Sequence, residues 1–323
     1  LNLTGDIGLG IQSGLGKTII WDWTDFMSPN ANFRLMLVAN DHQTIDIQEI
    51  VDQVDSTELK NNLTFIEGVR HRTAGAAHLE AVKQNLISTF ESHDLEMTIH
   101  SFPFGNYEAE NIIGRKIGTE AEGEVYIIDG HFDTVDDSPG ADDNGSGTSA
   151  VLEVAEALAE AKAKGNGPRR SVLVMLVSGE EKGLLGSKYY TEFPLFPLDH
   201  TIANVNVDMI GRVDKRHEDN PNYIYVIGSD RLSTELHEIN ENANKNFTNL
   251  ELDYKYNDPK DPNRYYYRSD HYNFAEKGIP AIFYFSGTHK DYHKPSDTIE
   301  KINFEKMERI AKLVFHTTWE LAN

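Results

Sequence analysis

The sequence predicts an α/β domain in which helices cover both faces of a mostly parallel central sheet. From about residue 46 onward, stretches with helical periodicity alternate with short apolar runs, as a layered α/β fold requires. These runs lack the alternation of half-exposed strands, which indicates strands buried on both faces. The chain of 323 residues contains 15 Phe, 14 Tyr and 3 Trp, which supply surface for a core and argue against disorder.

Each element of this domain has its own signal. Helical periodicity is readable near residues 75–92, 146–163, 231–244 and 303–321, and Asn303 is a suitable N-cap for the last of these helices. Buried strands are expected at four largely apolar runs, which are Val125 to Ile128, Val172 to Val177, Val205 to Val207 and Ala281 to Phe285. The domain is therefore expected to extend over residues 46–323.

Residues 1–45 differ in texture and are expected to form a small β-rich accessory region, the edge of a larger upstream module. Thr18–Trp23 and Phe33–Ala39 have strand-like composition and are separated by the turn signal Ser28-Pro29-Asn30. The stretch Gly10–Thr18 is similar to a phosphate loop. Ile11 stands where that motif needs its first glycine, and the following residues are typical of a strand rather than a helix. A nucleotide site is therefore not expected here.

The composition limits the function. The 52 Asp and Glu outnumber the 30 Lys and Arg, and the net charge of −22 disfavours binding to nucleic acid. No apolar run approaches the roughly 18–20 residues of a membrane span. The absence of cysteine excludes disulfides, thiolate metal sites and thiol nucleophiles, so any metal must be bound by histidines and carboxylates. The chain begins at Leu1 without an initiator Met or a signal-peptide pattern, as a processed or trimmed product would.

Polar side chains follow the predicted strands at the point where each strand ends. They form the segments Asp129–Asp133, Gly140–Gly145, Ser178–Glu181, Asn206–Asp208 and Tyr292-His293. Ligand sites of open α/β sheets lie just outside the carboxyl ends of the strands, so these segments are expected to converge on one crevice. Each segment alone has an ordinary explanation, such as a turn or the start of a helix. Their combination favours a metal site.

The order and spacing of these motifs resemble the di-zinc aminopeptidase family of co-catalytic metallopeptidases, which also includes glutaminyl cyclases and transferrin-receptor-like proteins. The resemblance covers roughly residues 60–323. Six motifs carry it, and these are His131-x-Asp133, Gly140-Ala141-Asp142-Asp143-Asn144-x-Ser146-Gly147, Ser178-Gly179-Glu180-Glu181-x-Gly183-Leu184-x-Gly186-Ser187, Asn206-Val207-Asp208-Met209-Ile210-Gly211, Arg268-Ser269-Asp270-His271 and Tyr292-His293. The resemblance implies a zinc-exopeptidase fold, with a mixed, mostly parallel sheet between helices.

The resemblance also implies two Zn²⁺ ions per chain and five protein ligands. His131 and Asp208 would bind one ion, Glu181 and His293 would bind the other, and Asp142 would bridge them. Each ion would then have three protein ligands and one open position, as catalytic zinc sites have. Imidazole and carboxylate ligands suit zinc, and an anionic bridge offsets the repulsion between two dications about 3.5–4 Å apart.

Further roles follow from the same resemblance. Glu180 is expected to be the general base, and Asp133 to orient the imidazole of His131. Tyr292 is similar to a tyrosine that stabilises the oxyanion in some members, although it could instead be a packing residue. Glu180 and Asp208 are the candidates for binding the free α-amino group of a substrate.

The substrate contacts are expected from Arg268 and Phe285. Arg268 could bind a carbonyl or carboxylate of the substrate or pair with a carboxylate of the protein, and Phe285 could line the pocket for the first side chain. The resemblance further suggests a cis peptide bond between Asp142 and Asp143. Apart from His271, which is expected to support the pocket, the remaining histidines are expected at the surface or on helix faces. They include His289, although it lies four positions from His293, a ligand-like spacing on a helix.

The leading hypothesis is a zinc-dependent aminopeptidase that acts on peptides with a free N-terminus and prefers apolar first side chains. The alternatives are a glutaminyl cyclase-like member, a carboxypeptidase-like or dipeptide-specific member, and a non-catalytic binding protein on the same scaffold. The five expected ligand positions and Glu180 are all filled, which favours hydrolysis over the single-zinc cyclases and over the binding proteins. By analogy with exported bacterial members, we expect a secreted or periplasmic protein, although no targeting segment is readable.

Overall fold

The computed structural model describes residues 2–5, 19–22 and 47–323. The chain divides into two compact units, Leu1–Ile45 and Asp46–Asn323. In the first unit, β1 (Asn2–Gly5) pairs antiparallel with β2 (Ile19–Asp22), which lies inside the first predicted strand-like stretch. The second such stretch, Phe33–Ala39, lies outside the described residues.

The second unit alternates helices with strands. Its helices are α1 (Ile47–Val51), α2 (Ser56–Ile66), α3 (Ala76–Ser92), α4 (Gly147–Ala163), α5 (Leu185–Glu192), α6 (Thr234–Ala243), α7 (His271–Glu276) and α8 (Phe304–Ala322). Its strands are β3 (Glu96–Phe104), β4 (Tyr107–Lys116), β5 (Ala121–His131), β6 (Arg170–Val177), β7 (Thr201–Val207), β8 (Tyr223–Ile227), β9 (Glu251–Asp253) and β10 (Ala281–Phe285). Among the described helices, none combines the length and apolarity that crossing a membrane requires.

One eight-stranded sheet forms the centre of this unit. Its strand order is β3-β4-β6-β5-β7-β10-β8-β9. The adjacent strands β6, β5, β7 and β10 run parallel to one another, as do β8 and β9. The pairs β3–β4, β4–β6 and β10–β8 are antiparallel. The predicted α/β class with a mixed, mostly parallel sheet is therefore confirmed.

Helices cover both faces of the sheet, as the buried strands require. Ile127 of β5 packs with Met175 of β6 and Phe274 of α7 in one core cluster. Gly130, three residues after Ile127, points to the opposite face, where it meets the first turn of α4 at Gly147. Strand β6 is buried along its whole length after the first residue. Burial of each such aliphatic side chain contributes about 1.5–3 kcal/mol.

The parallel strands place the candidate site. Because β6, β5, β7 and β10 run in the same direction, their carboxyl ends lie along one edge of the sheet. His131 is the last residue of β5, Glu180 follows β6 by three residues, and Asp208 directly follows β7. The segment after β10 carries His293. Helix α8 begins after Asn303, whose side chain accepts a hydrogen bond from the backbone N–H of Lys306, as its N-cap role predicts.

Candidate metal centre

Nitrogen and carboxylate oxygen atoms of five residues converge at this edge in two groups. One group is His131, Asp143 and Asp208, and the other is Asp143, Glu181 and His293. His131 Nε2 lies 3.3 Å from Asp143 Oδ1 and 3.5 Å from Asp208 Oδ1. His293 Nε2 lies 3.0 Å from Asp143 Oδ2 and 3.1 Å from Glu181 Oε2. Asp143 is therefore the carboxylate that both groups share.

The position of the shared carboxylate corrects the sequence-based expectation, which placed the bridge at Asp142. Asp142 is fully buried, but its Oδ1 atom accepts hydrogen bonds from the backbone N–H of Gly211 (2.7 Å) and from Ser146 Oγ (3.0 Å). The cis peptide bond is likewise found between Asp143 and Asn144, one bond later than expected. The prediction of Asp142 as the bridging ligand is wrong because its side chain is turned toward these other partners.

His289 is a second correction. It was expected among the surface or helix-face histidines, but its side chain is only 3% exposed and its Nε2 atom lies 3.1 Å from Asp142 Oδ2. The imidazole therefore lies next to the buried carboxylate that precedes the shared one in sequence. A pairing between residues so far apart in the chain leaves no local signal in the sequence.

Asn144 ties the turn that carries Asp143 to the end of β7. Its Oδ1 atom accepts hydrogen bonds from the backbone N–H groups of Gly147 (2.9 Å) and Met209 (3.0 Å). Its Nδ2 atom donates to the carbonyl of Val207 at 3.0 Å. Because Val207 and Met209 flank Asp208, these contacts hold the turn beside Asp208. Sequence reasoning gave Asn144 no role.

The same turn is held from two other sides. Asp297 Oδ2 accepts hydrogen bonds from the backbone N–H groups of Asp142 (3.0 Å) and Asp143 (3.1 Å). Gly140 precedes the turn with φ of 59°, and a Cβ atom at this position would lie 2.3 Å from the carbonyl oxygen of Asp143. A side chain at position 140 is therefore excluded both by the backbone conformation and by the space available.

Arg70 is a buried cation that fixes the loops around the centre. Its side chain has no exposed surface and donates to five backbone carbonyls, which belong to Ile66, Gly68, Phe132, Pro139 and Gly140. Burial lowers the pKa of Arg70 to about 10, so the guanidinium remains charged at neutral pH. The loop after β5 and the turn before Asp143 are thus held by one side chain, which sequence reasoning did not identify.

The electrostatics of the two groups fit divalent cations. Burial and the nearby charge of Asp143 raise the pKa of Glu181 to about 7. Burial also raises the pKa of Glu180 well above its ordinary value. Glu181 Oε1 and Asp208 Oδ1 are buried without a hydrogen-bond partner among the described residues. These closely spaced carboxylates with free oxygens, together with the two imidazoles, form a ligand set that suits zinc.

Neighbouring side chains orient the ligands. The Nδ1 atom of His131 lies 3.2 Å from the backbone oxygen of Asp133 and 3.7 Å from its carboxylate, and Asp133 Oδ1 also accepts a hydrogen bond from the backbone N–H of Glu180 at 3.2 Å. Ser269 Oγ donates to Asp208 Oδ2 at 2.7 Å, which leaves the other oxygen of Asp208 facing the centre. Partners of this kind fix the tautomer of a ligand and raise its basicity.

Four residues of the two groups, His131, Asp143, Asp208 and His293, line a cleft that extends toward β7 and β10. The apolar part of its lining consists of Met209, Tyr265, Phe283, Phe285 and the ring of Tyr292. Arg268 is exposed at the rim, and its Nη2 atom donates to the hydroxyl of Tyr292 at 3.2 Å. No carboxylate of the described residues lies within 4.0 Å of the Arg268 nitrogens, so the alternative of a pairing within the protein is not observed. Tyr292 also stacks on the ring of His293, with centroids 3.8 Å apart.

The comparison with family models decides the family. The model described as Peptidase family M28 matches residues 111–318. The chain belongs to peptidase family M28. This confirms the resemblance to the co-catalytic metallopeptidases on which the ligand assignment was based.

Individual relatives agree with this membership. Aminopeptidase YwaD of Bacillus subtilis is 29% identical over 235 residues, covering 70% of this chain and 47% of that protein. The solved zinc aminopeptidase BSAP of B. subtilis is 28% identical, with a TM-score of 0.56 over 68% of this chain and 52% of that one. The LapA aminopeptidase structure of Legionella pneumophila, 23% identical, has a TM-score of 0.70 over 90% of this chain and 78% of that one, and shows the shared fold. The chain thus spans about half the length of YwaD.

Proposed function

We propose that this chain is a zinc-dependent aminopeptidase, which hydrolyses the first peptide bond of peptides with a free N-terminus. The observation that carries the proposal is the pair of ligand groups that share Asp143, with Glu180 beside them and an apolar cleft next to them. The aminopeptidase names of related proteins support it. A preference for apolar first residues follows from the aromatic lining of the cleft.

The residues would hold two metal ions. His131 and Asp208 would bind one zinc, Glu181 and His293 would bind the other, and Asp143 would bind both. Bound zinc supplies Lewis acidity and lowers the pKa of a water molecule to about 7. The arrangement leaves the remaining chemistry, which is proton transfer and charge stabilisation, to side chains of the protein.

Glu180 would move the proton. Its backbone N–H is held by Asp133, and its Oε2 atom lies 3.9 Å from Nε2 of His131. Because burial raises its pKa, the carboxylate is a stronger base than an exposed glutamate. Glu180 would accept a proton from the attacking water and return it to the leaving amine, as a general base and then a general acid.

Tyr292 would stabilise negative charge on the substrate carbonyl. Burial raises the pKa of its hydroxyl above the ordinary value, so the group stays protonated at neutral pH. Arg268 donates to the hydroxyl oxygen, which leaves the hydroxyl hydrogen free to be donated to the oxyanion. The exposed guanidinium has further N–H groups for a substrate carbonyl beyond the cleaved bond.

The first residue of the substrate would be recognised by its ammonium group and by its side chain. Its ammonium group would lie near the carboxylates of Glu180 and Asp208, which line the cleft. Its side chain would lie against Phe285, which is 3% exposed and stacks with Phe283 at 5.3 Å between centroids. A blocked N-terminus would lose the charged contact and place an acyl group against the carboxylates.

A substrate panel tests the proposal. Leucine p-nitroanilide, the peptide Leu-Ala-Ala-NH₂, its N-acetylated form and a peptide beginning with Gln are each incubated with the zinc-loaded protein, with and without a chelator. We expect release of leucine from the two free-amine substrates and loss of this activity in the chelator. Cleavage of the acetylated peptide, removal of residues from the C-terminus, or cyclisation of the Gln peptide without hydrolysis would each contradict the assignment.

A further inference from the structure

A second groove lies at the same edge of the sheet, on the side of β4 and β6. We call it the basic groove, and the side chains that define it are His71, Arg72, Phe104, Tyr107, Asp133 and Lys182.

Two cations of the basic groove lack a carboxylate partner. Arg72 Nη1 donates to the carbonyl of Phe104 at 3.0 Å, and its guanidinium lies 4.0 Å from the centroid of the same ring. Lys182 is exposed. No carboxylate of the described residues lies within 4.0 Å of either cation. Two cations without a close carboxylate are a local departure from the excess of 52 acidic over 30 basic residues in the chain.

Beside these two cations, His71 supplies a neutral hydrogen-bond donor. Its Nδ1 atom lies 3.4 Å and 3.3 Å from the backbone N–H groups of Thr73 and Ala74, which donate to it. The ring hydrogen is therefore on Nε2. Burial and the charge of Lys182 lower the pKa of His71, so the ring is neutral at pH 7. The acidic groups that face His71 are Asp133 and Asp136, and Asp133 already accepts a hydrogen bond from Glu180.

The basic groove and the apolar lining of the cleft lie at different strands of the same sheet edge. The apolar lining of the cleft follows the ends of β7 and β10, whereas the groove follows the ends of β5 and β6 and the tip of the β3–β4 hairpin. Two residues that line the groove lie next to Glu180. Asp133 accepts a hydrogen bond from the backbone N–H of Glu180, and Gly179 precedes it in the sequence. Lys182 directly follows the ligand Glu181. The groove therefore adjoins the segment that carries Glu180 and Glu181.

We propose that the basic groove binds a carboxylate on the leaving side of the peptide substrate. The carboxylate is either an acidic side chain just after the cleaved bond or the C-terminus of a short peptide. The inference rests on the proposed aminopeptidase function and extends it to a substrate class. The donors that would bind the carboxylate are the adjacent residues His71 and Arg72 and, from a second segment, Lys182.

Paired substrates that differ only in one negative charge test the proposal. Leu-Glu-Ala-NH₂ is compared with Leu-Gln-Ala-NH₂ for the side-chain carboxylate, and Leu-Ala with Leu-Ala-NH₂ for the C-terminal carboxylate. We expect kcat/KM to be about tenfold higher for the charged member of at least one pair, which corresponds to about 1.4 kcal/mol. The advantage is expected in KM and is expected to shrink at high salt, because the cations are partly exposed. The pair that shows the advantage identifies the source of the carboxylate.

Variants of the groove connect this preference to its residues. Lys182→Met and Arg72→Met are each expected to bring the ratio of charged to uncharged substrate toward one, whereas Arg72→Lys keeps most of it. Any general loss of activity cancels in this ratio. Lys188→Met is the matched control, because Lys188 is also exposed, lies six residues further along and does not line the groove. It is expected to leave both the ratio and the activity unchanged.

A binding measurement separates failure of the groove from failure of the enzyme assignment. Zinc-loaded Glu180→Gln protein is titrated by calorimetry with both substrate pairs, with and without Lys182→Met. If the protein binds the charged peptide more tightly and Lys182→Met removes this preference, the proposed role of the groove is supported. This holds even if the wild type hydrolyses none of the peptides, a result that would refute only the proposed aminopeptidase function. Equal binding and equal kcat/KM within both pairs, or a preference that survives both Lys182→Met and Arg72→Met, overturns the proposal.

Discussion

Replacing Glu153 by Gln should stabilise the fold increasingly as the pH rises above 4.5. Glu153 lies in α4 with 3% exposure, and its Oε1 atom accepts a hydrogen bond from Asn62 Nδ2 at 2.6 Å. Burial, together with the charges of Glu156, Glu58 and Asp55, raises its pKa from 4.5 to about 8. Gln keeps the acceptor oxygen and the shape of the side chain but removes the charge.

The size of the effect follows from proton linkage. Between pH 4.5 and 8 the folded chain still holds this proton after the unfolded chain has released it, so the free energy of unfolding falls as the pH rises. At 1.36 kcal/mol per pH unit, the wild type loses about 1 kcal/mol by pH 5, about 3 kcal/mol by pH 6.5 and about 4 kcal/mol by pH 8. The variant lacks the ionisable group and does not lose this free energy. Its free energy of unfolding should therefore exceed that of the wild type by about 1, 3 and 4 kcal/mol at the same three pH values.

Urea denaturation followed by tryptophan fluorescence at these three pH values measures the difference. EDTA is present throughout, so that release of metal at low pH does not contribute. Glu238→Gln is the control, because Glu238 is exposed on α6 and should change the free energy of unfolding by less than about 0.5 kcal/mol at any of the three pH values. A difference for Glu153→Gln that is the same at all three pH values, or a variant less stable than wild type at pH 8, would refute the reasoning.

Three further predictions concern the site. Asp143→Ala should bind less than one zinc per chain by elemental analysis, whereas Asp142→Asn should retain more, because only Asp143 belongs to both ligand groups. Tyr292→Phe should lower kcat by about 10- to 100-fold in steady-state assays while keeping the stacking on His293, because it removes only the donor to the oxyanion. Arg70→Met should lower the free energy of unfolding by at least about 3 kcal/mol in denaturant titrations, because buried carbonyls lose their donor.

The strands of the fold were predictable where burial is complete. Strands β5, β6, β7 and β10 contain continuous apolar runs, and each observed strand includes the predicted run. The β3–β4 hairpin was not predicted, because β3 is an edge strand with only one buried residue and contains Pro103. Helix α2 was also missed, although Asp55 caps it and Leu59, Leu63 and Ile66 are buried on one face.

The candidate site was predictable in its location more than in its details. Residues that directly follow a buried parallel strand, such as His131 and Asp208, must lie at the carboxyl edge of the sheet. The choice between Asp142 and Asp143 depends instead on the backbone N–H of Gly211, which binds Asp142 from 69 positions away. No spacing in the sequence encodes such a contact.

Zinc titration of the chelator-treated protein tests the proposed two-metal aminopeptidase most directly. The hydrolysis of Leu-Ala-Ala-NH₂ is followed as zinc is added, and bound zinc is counted in the wild type and in Glu180→Gln. We expect activity to return with zinc and to level off at two equivalents, while Glu180→Gln binds the same two equivalents and turns over at least about 100-fold more slowly. Hydrolysis that persists in the chelator, or a Glu180→Gln variant as active as the wild type, would contradict the mechanism.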